Sequence, residues 1–341
     1  MADNLMENWS ATKAALTDGL TGTKKMVMET TLENTKNYLA EAVTAGATQS
    51  GNIATLNKVI LPVIRRVMPT VIANEIVGVQ PMTGPVGQIH TLRVRYAETF
   101  DSATAGDEAL SPFAIANGYS GDAATNRGAA TSALEAEAGK KLSIQVLKQT
   151  VEAKSRKLSA RWTFEAAQDA QSMHGLDVEA EIMQALAQEI TAEIDQEIIS
   201  SLTSLAGGTD TYAQGGVSGT ATFVGDEHAA LAVLINKNAN TIAARTRRGA
   251  GNWAVVSPTV LTVLQSATTS AFARTTEGPF EAPTNTKFVG TLNGTMRIYV
   301  NQYAANDNVL VGYKGSTETD AAAFYCPYIP LMSSGTVLDP D

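Results

Sequence analysis

Residues 175–205 constrain the fold more than any other part of this chain, because their apolar side chains recur every three or four positions. This spacing places side chains on one face of an α-helix. About thirty residues at ~1.5 Å each form a helix roughly 45 Å long, which suits an extended molecule better than a small globule. We call this predicted element the spine helix. Its apolar positions are Leu176, Ala180, Met183, Leu186, Ile190, Ile194, Ile198 and Leu202, and its opposite, polar face carries Glu179, Glu181, Glu189, Glu193, Asp195 and Glu197.

The composition predicts a folded, soluble protein. Apolar residues make up 44% of the 341 positions and charged residues 17%, which is typical of a chain that buries a core. No run approaches the ~18–20 apolar residues of a membrane span, and the first ten residues do not resemble a signal peptide. The single cysteine, Cys326, excludes an internal disulfide. We expect it to be a small buried hydrophobic residue in a reducing compartment.

The net charge of −9 disfavours a protein that binds nucleic acid tightly, because such proteins usually carry a basic surface. A repressor or a polymerase is therefore not expected.

The parts of the chain before the spine helix show both helical and strand patterns. Residues 1–50 carry a thin helical stripe, interrupted by Gly19 and Gly22, which must pack against either the same subunit or a neighbour. Alternating residues predict strands at Ile89–Tyr96 and Lys140–Thr150. Between them, residues 99–139 are rich in Ala, Gly, Thr and Ser and have almost no aliphatic run. This composition predicts a long loop that gains its contacts from a neighbour.

After the spine helix, short helices and strands alternate, and together with the first half this predicts an α+β fold. Residues 206–223 and 267–295 are interpreted as loop and polar connections. The predicted elements are helices at Asp226–Ala244 and Thr259–Gln265 and strands at Trp253–Val256, Met296–Asn301, Val309–Gly312 and Ala322–Leu331.

The sequence holds no recognisable catalytic, cofactor-binding or metal-binding motif. The three histidines, His90, His174 and His228, are far apart, and none has a ligand partner three or four positions away. The acidic residues of the spine helix lack the histidines of a di-iron site, so we interpret them as a solvated helix face. We therefore expect no enzymatic activity, no cofactor and no metal.

Four segments of the chain resemble the major capsid proteins of T-even-type tailed phages. They follow one another in the family's order and cover most of the chain from about residue 55. The segments are residues 153–200, VIRRVMPTVIANEIVGVQPMTGPVGQIHTLRVRY at 63–96, NWAVVSP at 252–258 and ETDAAAFYCPYIPLM at 318–332.

The resemblance implies the HK97-type capsid fold and divides the chain into six parts. These are an N-terminal arm at 1–55, an arm-to-core segment at 56–88, an extended hairpin loop (E-loop) with a shortened insertion at 89–150, a peripheral domain with the spine helix at 151–224, an axial domain at 225–295, and return strands at 296–341.

In function, the resemblance implies a major capsid protein whose hexamers and pentamers form an icosahedral phage head around double-stranded DNA. An acidic inner wall would repel phosphates and let the packed genome slide, without sequence-specific binding. The expected partners are other copies of the chain and portal, scaffold and decoration proteins, with assembly in the host cytoplasm, residence in the virion and no membrane contact. The alternative is an encapsulin-like shell of a cellular nanocompartment that encloses cargo enzymes. A soluble enzyme is a third hypothesis, which no motif supports.

Seven arginines are candidate contacts between subunits, because guanidinium groups pair well with carboxylates. Plain surface cations are the other interpretation. The seven are Arg65, Arg66, Arg156, Arg161, Arg245, Arg247 and Arg248.

The resemblance also implies a cleavage signal, since capsid proteins of this type are trimmed by a prohead protease after Leu/Ile-x-Glu. Leu39-Ala40-Glu41 matches this pattern beside the small-residue linker at 45–54. A tripeptide of common residues is a weak signal. We therefore expect the arm to be retained and disfavour cleavage after Glu41.

Overall fold

A computed structural model of the chain describes residues 9–44, 71–100, 103–109, 118–122, 128–135, 139–212, 224–266, 272–274 and 286–332. Helices and strands alternate along these ranges, in agreement with the predicted α+β class. The helices are α1 (Trp9–Thr17), α2 (Gly22–Thr44), α3 (Ala73–Ile76), α4 (Thr131–Leu134), α5 (Phe164–His174), α6 (Val178–Leu205), α7 (Val224–Thr246) and α8 (Pro258–Ser266). The strands are β1 (Gly78–Val79), β2 (Val86–Tyr96), β3 (Leu142–Glu152), β4 (Trp253–Val256), β5 (Phe272–Arg274), β6 (Thr286–Leu292), β7 (Met296–Asn301), β8 (Val309–Gly312) and β9 (Phe324–Tyr325).

The predicted spine helix is α6, which runs for 28 residues, or about 42 Å. It begins at Val178 rather than at Gly175, because the Asp177 carboxylate accepts the backbone N–H groups of Glu179 and Ala180 and so caps the helix. Gly175 instead ends α5 in the left-handed conformation, with its N–H donated to the carbonyl of Gln171. Gly175 therefore separates the two helices.

The central element of the structure is a five-stranded sheet with the order β5-β6-β7-β4-β8, in which β4 and β7 are parallel and the other neighbours are antiparallel. Helices α7 and α8 cover one of its faces. Leu231 and Ile235 of α7 and Leu264 of α8 pack there against Ala254 and Ile298. The apolar run of β4 is buried on both faces of the sheet, which explains why its sequence does not alternate.

The other face of this sheet packs against the spine helix and the segment that begins at residue 71. Trp253, Val255 and Tyr299 contact a cluster that includes Leu202 of α6 and Ile76 of α3. Trp253 also lies directly on Gly312 of β8, where a Cβ atom would overlap the indole ring. The spine helix thus supports the sheet through its C-terminal half.

Two strand predictions need correction. The polar stretch at 267–295 contains β5 and β6, whose weak apolar alternation hid them, and β6 has a register irregularity between Phe288 and Gly290. Conversely, the strand predicted at Ala322–Leu331 is reduced to Phe324–Tyr325, which pairs in parallel with β1. Pro327 and Pro330 follow it, and proline has no N–H with which to continue a ladder.

The N-terminal helices lie on the same chain's body. Trp9 and Leu16 of α1 and Met28 and Leu32 of α2 form a buried cluster against Met183 of the spine helix. Of the two interpretations of residues 1–50, the structure shows contact with the chain's own subunit.

Candidate assembly surfaces

Strands β2 and β3 form a two-stranded antiparallel hairpin in which all eleven residues of each strand are paired, from Val86–Glu152 to Tyr96–Leu142. Eleven residues of strand span roughly 35 Å. An isolated hairpin of two strands is only marginally stable in water. We therefore expect this long, two-stranded hairpin to be stabilised by packing against another surface.

One face of this hairpin is apolar and exposed. Residues directly opposite each other share a face, so the pairs Leu92–Val146, Val94–Ile144 and Tyr96–Leu142 lie side by side. The exposed fractions are 65% for Leu92, 61% for Val146, 69% for Ile144 and 54% for Leu142. Covering each of these four side chains would contribute about 1–2 kcal/mol.

The far end of the hairpin is closed by a small cluster from the loop between its strands. Tyr96 packs on Tyr119, with ring centroids 4.7 Å apart, and the backbone N–H of Tyr96 is donated to the carbonyl of Asp107. Ala103 and Ala109 are buried beside them. The described part of the predicted loop at 99–139 thus has a few contacts of its own.

The exposed side of the spine helix carries a row of acidic residues one helical turn apart. Glu181, Glu189, Glu193 and Glu197 are all exposed, as expected for a solvated face, and the exposed Ala185 lies between the first two. The predicted polar face is therefore confirmed at these positions.

Arg156, one of the candidate contacts between subunits, binds this acidic row within its own chain. Its guanidinium group donates to Glu193, at 2.9 Å, and to Glu197. All three side chains are partly or largely exposed, so each ion pair contributes only about 0–1 kcal/mol. Arg156 offsets one of the two charges in the C-terminal part of the row, and it leaves Glu181 and Glu189 to interact elsewhere.

The arginines at the end of α7 form an exposed basic group. Arg248 pairs with Asp320 at 2.7 Å, again within the chain, and Arg247 holds a positive φ of 51° where the helix ends. Arg245 is exposed, as is Arg161 before α5. Arg65 and Arg66 lie outside the described residues. Contacts between subunits by these arginines stay a prediction.

Asp195 corrects the predicted polar face of the spine helix, because its side chain is buried rather than solvated. It is 0% exposed and lies in a stripe with Ala187, Thr191 and Leu202. Its Oδ1 atom accepts the backbone N–H of Ile72 at 3.0 Å. Burial raises the pKa of this carboxyl to about 7, although the bond from Ile72 opposes the shift.

Glu75 of α3 joins three parts of the chain. Lys24 of α2 donates to it at 2.7 Å and Arg297 of β7 at 3.0 Å, while the Tyr299 hydroxyl donates at 3.4 Å. Burial alone would raise the pKa of Glu75, but Lys24, Arg297 and Lys314 outweigh it and lower the pKa. Sequence reasoning missed this group, since no spacing along the chain brings positions 24, 75 and 297 together.

The described residues show no arrangement for metal binding, since no three His, Cys, Asp or Glu side chains there converge on a common point. His228 shares a hydrogen bond of 2.7 Å with Ser266, while His90 and His174 are exposed. Cys326 is half-buried rather than fully buried, and burial raises its pKa. Among the described helices, none combines the length and apolar character that a membrane span requires.

Comparison with known proteins decides the family. The family model of the major capsid protein Gp23 matches residues 53–341. The chain belongs to this family.

Curated relatives agree with the family assignment. The chain is 32% identical to the major capsid protein of Vibrio phage KVP40, over 86% of this chain and 73% of that protein. It is 30% identical to the major capsid protein of Enterobacteria phage T4 (86% and 74%) and 31% identical to that of Salmonella phage ViI (87% and 76%).

The predicted resemblance is confirmed by these matches, and the function is that of a major capsid protein of T4-like phages. The Gp23 family is a structural one rather than an enzyme family. Neither the family model nor the relatives support the encapsulin alternative.

The family match begins at residue 53, so the two N-terminal helices precede it. The predicted cleavage tripeptide, Leu39–Glu41, lies within α2 and is helical, not extended beside the linker as the sequence suggested. The linker at 45–54 lies outside the described residues. Retention of the arm, with cleavage after Glu41 disfavoured, stays a prediction.

Proposed function

We propose that the chain adopts the HK97-type arrangement and forms the hexamers and pentamers of an icosahedral head that encloses double-stranded DNA. In this arrangement the β2–β3 hairpin is the extended loop, α6 is the spine of the peripheral domain, and the sheet with α7 and α8 is the axial domain. The parts divide near residues 55, 88, 150, 224 and 295. Portal, scaffold and decoration proteins are the further partners, and assembly takes place in the host cytoplasm.

The observation that carries the proposal is the exposed apolar face of the hairpin. Leu92, Leu142, Ile144 and Val146 form one continuous surface that the described part of the chain leaves uncovered. Monomeric proteins rarely keep such a patch in water, and larger patches usually mark interaction sites. In a capsid protein, the available partner in excess is another copy of the same chain.

Charge indicates where the hairpin docks. The hairpin strands carry Arg93 and Arg95 on the face opposite the apolar one and Lys148 on the apolar side, against the single acid Glu152. The spine helix carries six acidic residues and no basic one, and its N-terminal acids are not neutralised by Arg156. We therefore place the hairpin of one subunit against the acidic row of the next, where opposite charges favour the encounter.

Adjacent residues of β3 on opposite faces of the hairpin test this contact. Ile144→Glu places a charge on the apolar face, while Gln145→Glu places the same charge on the other face. Because both side chains are exposed in the subunit, we expect both variants to unfold within about 0.5 kcal/mol of the wild type.

Assembly is then measured by sedimentation and electron microscopy of the particles. Ile144→Glu should abolish or strongly reduce shell formation, whereas Gln145→Glu should assemble like the wild type. Equal assembly of the two variants would remove the hairpin face from the proposed contact.

A further inference from the structure

The buried stripe of the spine helix contains one ionisable side chain. Thr191, in the same stripe, satisfies its hydroxyl by donating to the Ala187 carbonyl at 2.8 Å. Asp195 has no equivalent local partner and instead reaches across to another element, where Oδ1 accepts the Ile72 N–H. Its second oxygen, Oδ2, is buried and has no hydrogen-bond partner.

The two protonation states of this carboxyl therefore differ sharply in cost. A neutral Asp195 keeps the bond from Ile72 and carries its proton on Oδ2. An ionised Asp195 places a full charge among apolar side chains with a single N–H to stabilise it, which is expensive. The geometry alone thus favours the neutral form in the folded chain.

The groups packed around Asp195 do not neutralise its charge. On the β9 side lie Tyr325, whose pKa is raised to about 12 by burial and by Asp195, and Cys326, whose pKa burial also raises. Both stay neutral near pH 7. Arg156 opposes the rise in the pKa of Tyr325, but Glu193 and Glu197 on the exposed side hold this arginine.

The charged side chain on the segment that Asp195 contacts already has partners in ion pairs. Glu75, three residues after Ile72, is paired with Lys24 and Arg297. Asp195 is therefore the one carboxylate between the spine helix and residues 71–79 that the described ion pairs leave without a cation.

We propose that Asp195 is a proton-controlled anchor between the spine helix and residues 71–79. When neutral, it holds the start of α3 on the middle of the helix, and when ionised it loosens this contact. A change of pH across the neutral range would then alter the rigidity of the spine of each subunit, independently of how the subunits assemble.

The direction of the effect follows from linkage. The folded chain keeps a proton on Asp195 up to about pH 7, whereas an ordinary aspartate with a pKa of 3.8 releases it near pH 4. The folded state therefore binds more protons in this window, and the anchor weakens as pH rises. Between pH 5.5 and 8.0, the equilibrium constant for local opening of the contact between the spine helix and residues 71–79 should increase about 30-fold.

Hydrogen exchange of the purified chain, followed by mass spectrometry at pH 5.5 and 8.0, measures this opening in peptides covering 71–79 and 187–202. After correction for intrinsic exchange rates, wild type should lose about 30-fold protection at the higher pH. Asp195→Asn, which keeps the oxygen that accepts the Ile72 N–H but cannot ionise, should show no such loss. Glu193→Gln, which removes an exposed acid from the same helix, should behave like the wild type.

Equal pH dependence in wild type and Asp195→Asn would overturn the proposal. If Asp195→Asn fails to fold, a pH series on the wild type decides: a transition of these peptides centred near pH 7 supports the anchor, and a flat profile or a midpoint near pH 4 refutes it.

Discussion

The side chain of Asn34 should hold the N-terminal helices on the body of the protein. It is 6% exposed, and its Nδ2 atom donates to the Met82 carbonyl at 2.6 Å and to the Tyr328 carbonyl at 3.1 Å. These two carbonyls lie just beyond the paired strands β1 and β9. One amide therefore joins α2 to both segments.

Asn34→Ala removes both hydrogen bonds and leaves the Met82 carbonyl buried without this partner. A buried carbonyl without a partner costs about 1–3 kcal/mol, and the second, partly buried bond adds about 0.5–1 kcal/mol. Alanine also gains several tenths of a kcal/mol in helix propensity over asparagine. The control Asn37→Ala makes the same propensity gain one turn later, at an exposed position of α2. The difference between the variants should be about 1.5–4 kcal/mol.

Urea unfolding measures the free energies of both variants, and hydrogen exchange of residues 22–38 reports whether the helix leaves the body before the rest unfolds. We expect Asn34→Ala alone to lose protection in α2. If Asn34→Ala and Asn37→Ala have the same stability and the same exchange, the reasoning about the bridging amide is wrong.

Two further predictions concern the core and its ion pairs. Leu202→Ala should destabilise the chain by about 2–5 kcal/mol, because Leu202 is buried in the cluster between the spine helix and the sheet. The control Leu205→Ala, at an exposed position of the same helix, should change stability by less than about 0.5 kcal/mol. Similar urea midpoints for the two variants would show that the helix faces are misassigned. Glu75 has a lowered pKa in the folded chain, so its contribution is present above the ordinary range of glutamate and is lost as pH falls below it. Glu75→Gln should therefore lower the melting temperature at pH 7 more than at pH 3.5, and an equal loss at both would contradict the ion-pair account.

Periodicity predicted the elements whose faces differ clearly. The spine helix and the hairpin strands are found within a few residues of their predicted bounds, because caps and turns move boundaries without changing the pattern. Strand Trp253–Val256 is found at its predicted bounds although all four of its residues are buried and its sequence does not alternate. The apolar alternation at Leu142, Ile144 and Val146 also carried the signal of the exposed hairpin face, but a pattern cannot tell a face that packs in its own chain from one that does not.

The remaining features depend on contacts between distant positions. Asp195 was assigned to the polar face because charged residues usually are, yet the helix turns this position toward Ile72, 123 residues earlier in the chain. Strand β6 has only weak alternation and is defined by its pairing with β7. Such features follow from the tertiary structure and leave no local trace in the sequence.

The asymmetry of the hairpin limits the kinds of assembly that the chain can form. Under the proposed contact, the hairpin of one copy meets the acidic row of another, so donor and acceptor surfaces differ. Where these two surfaces lie apart on the subunit, the contact is heterologous, and each added copy leaves one donor and one acceptor unfilled until a ring closes. The number of subunits in the ring is then set by the angle at which the hairpin leaves its own subunit, and small changes at its base, near Val86 and Glu152, would change ring size without altering a single residue of the contact.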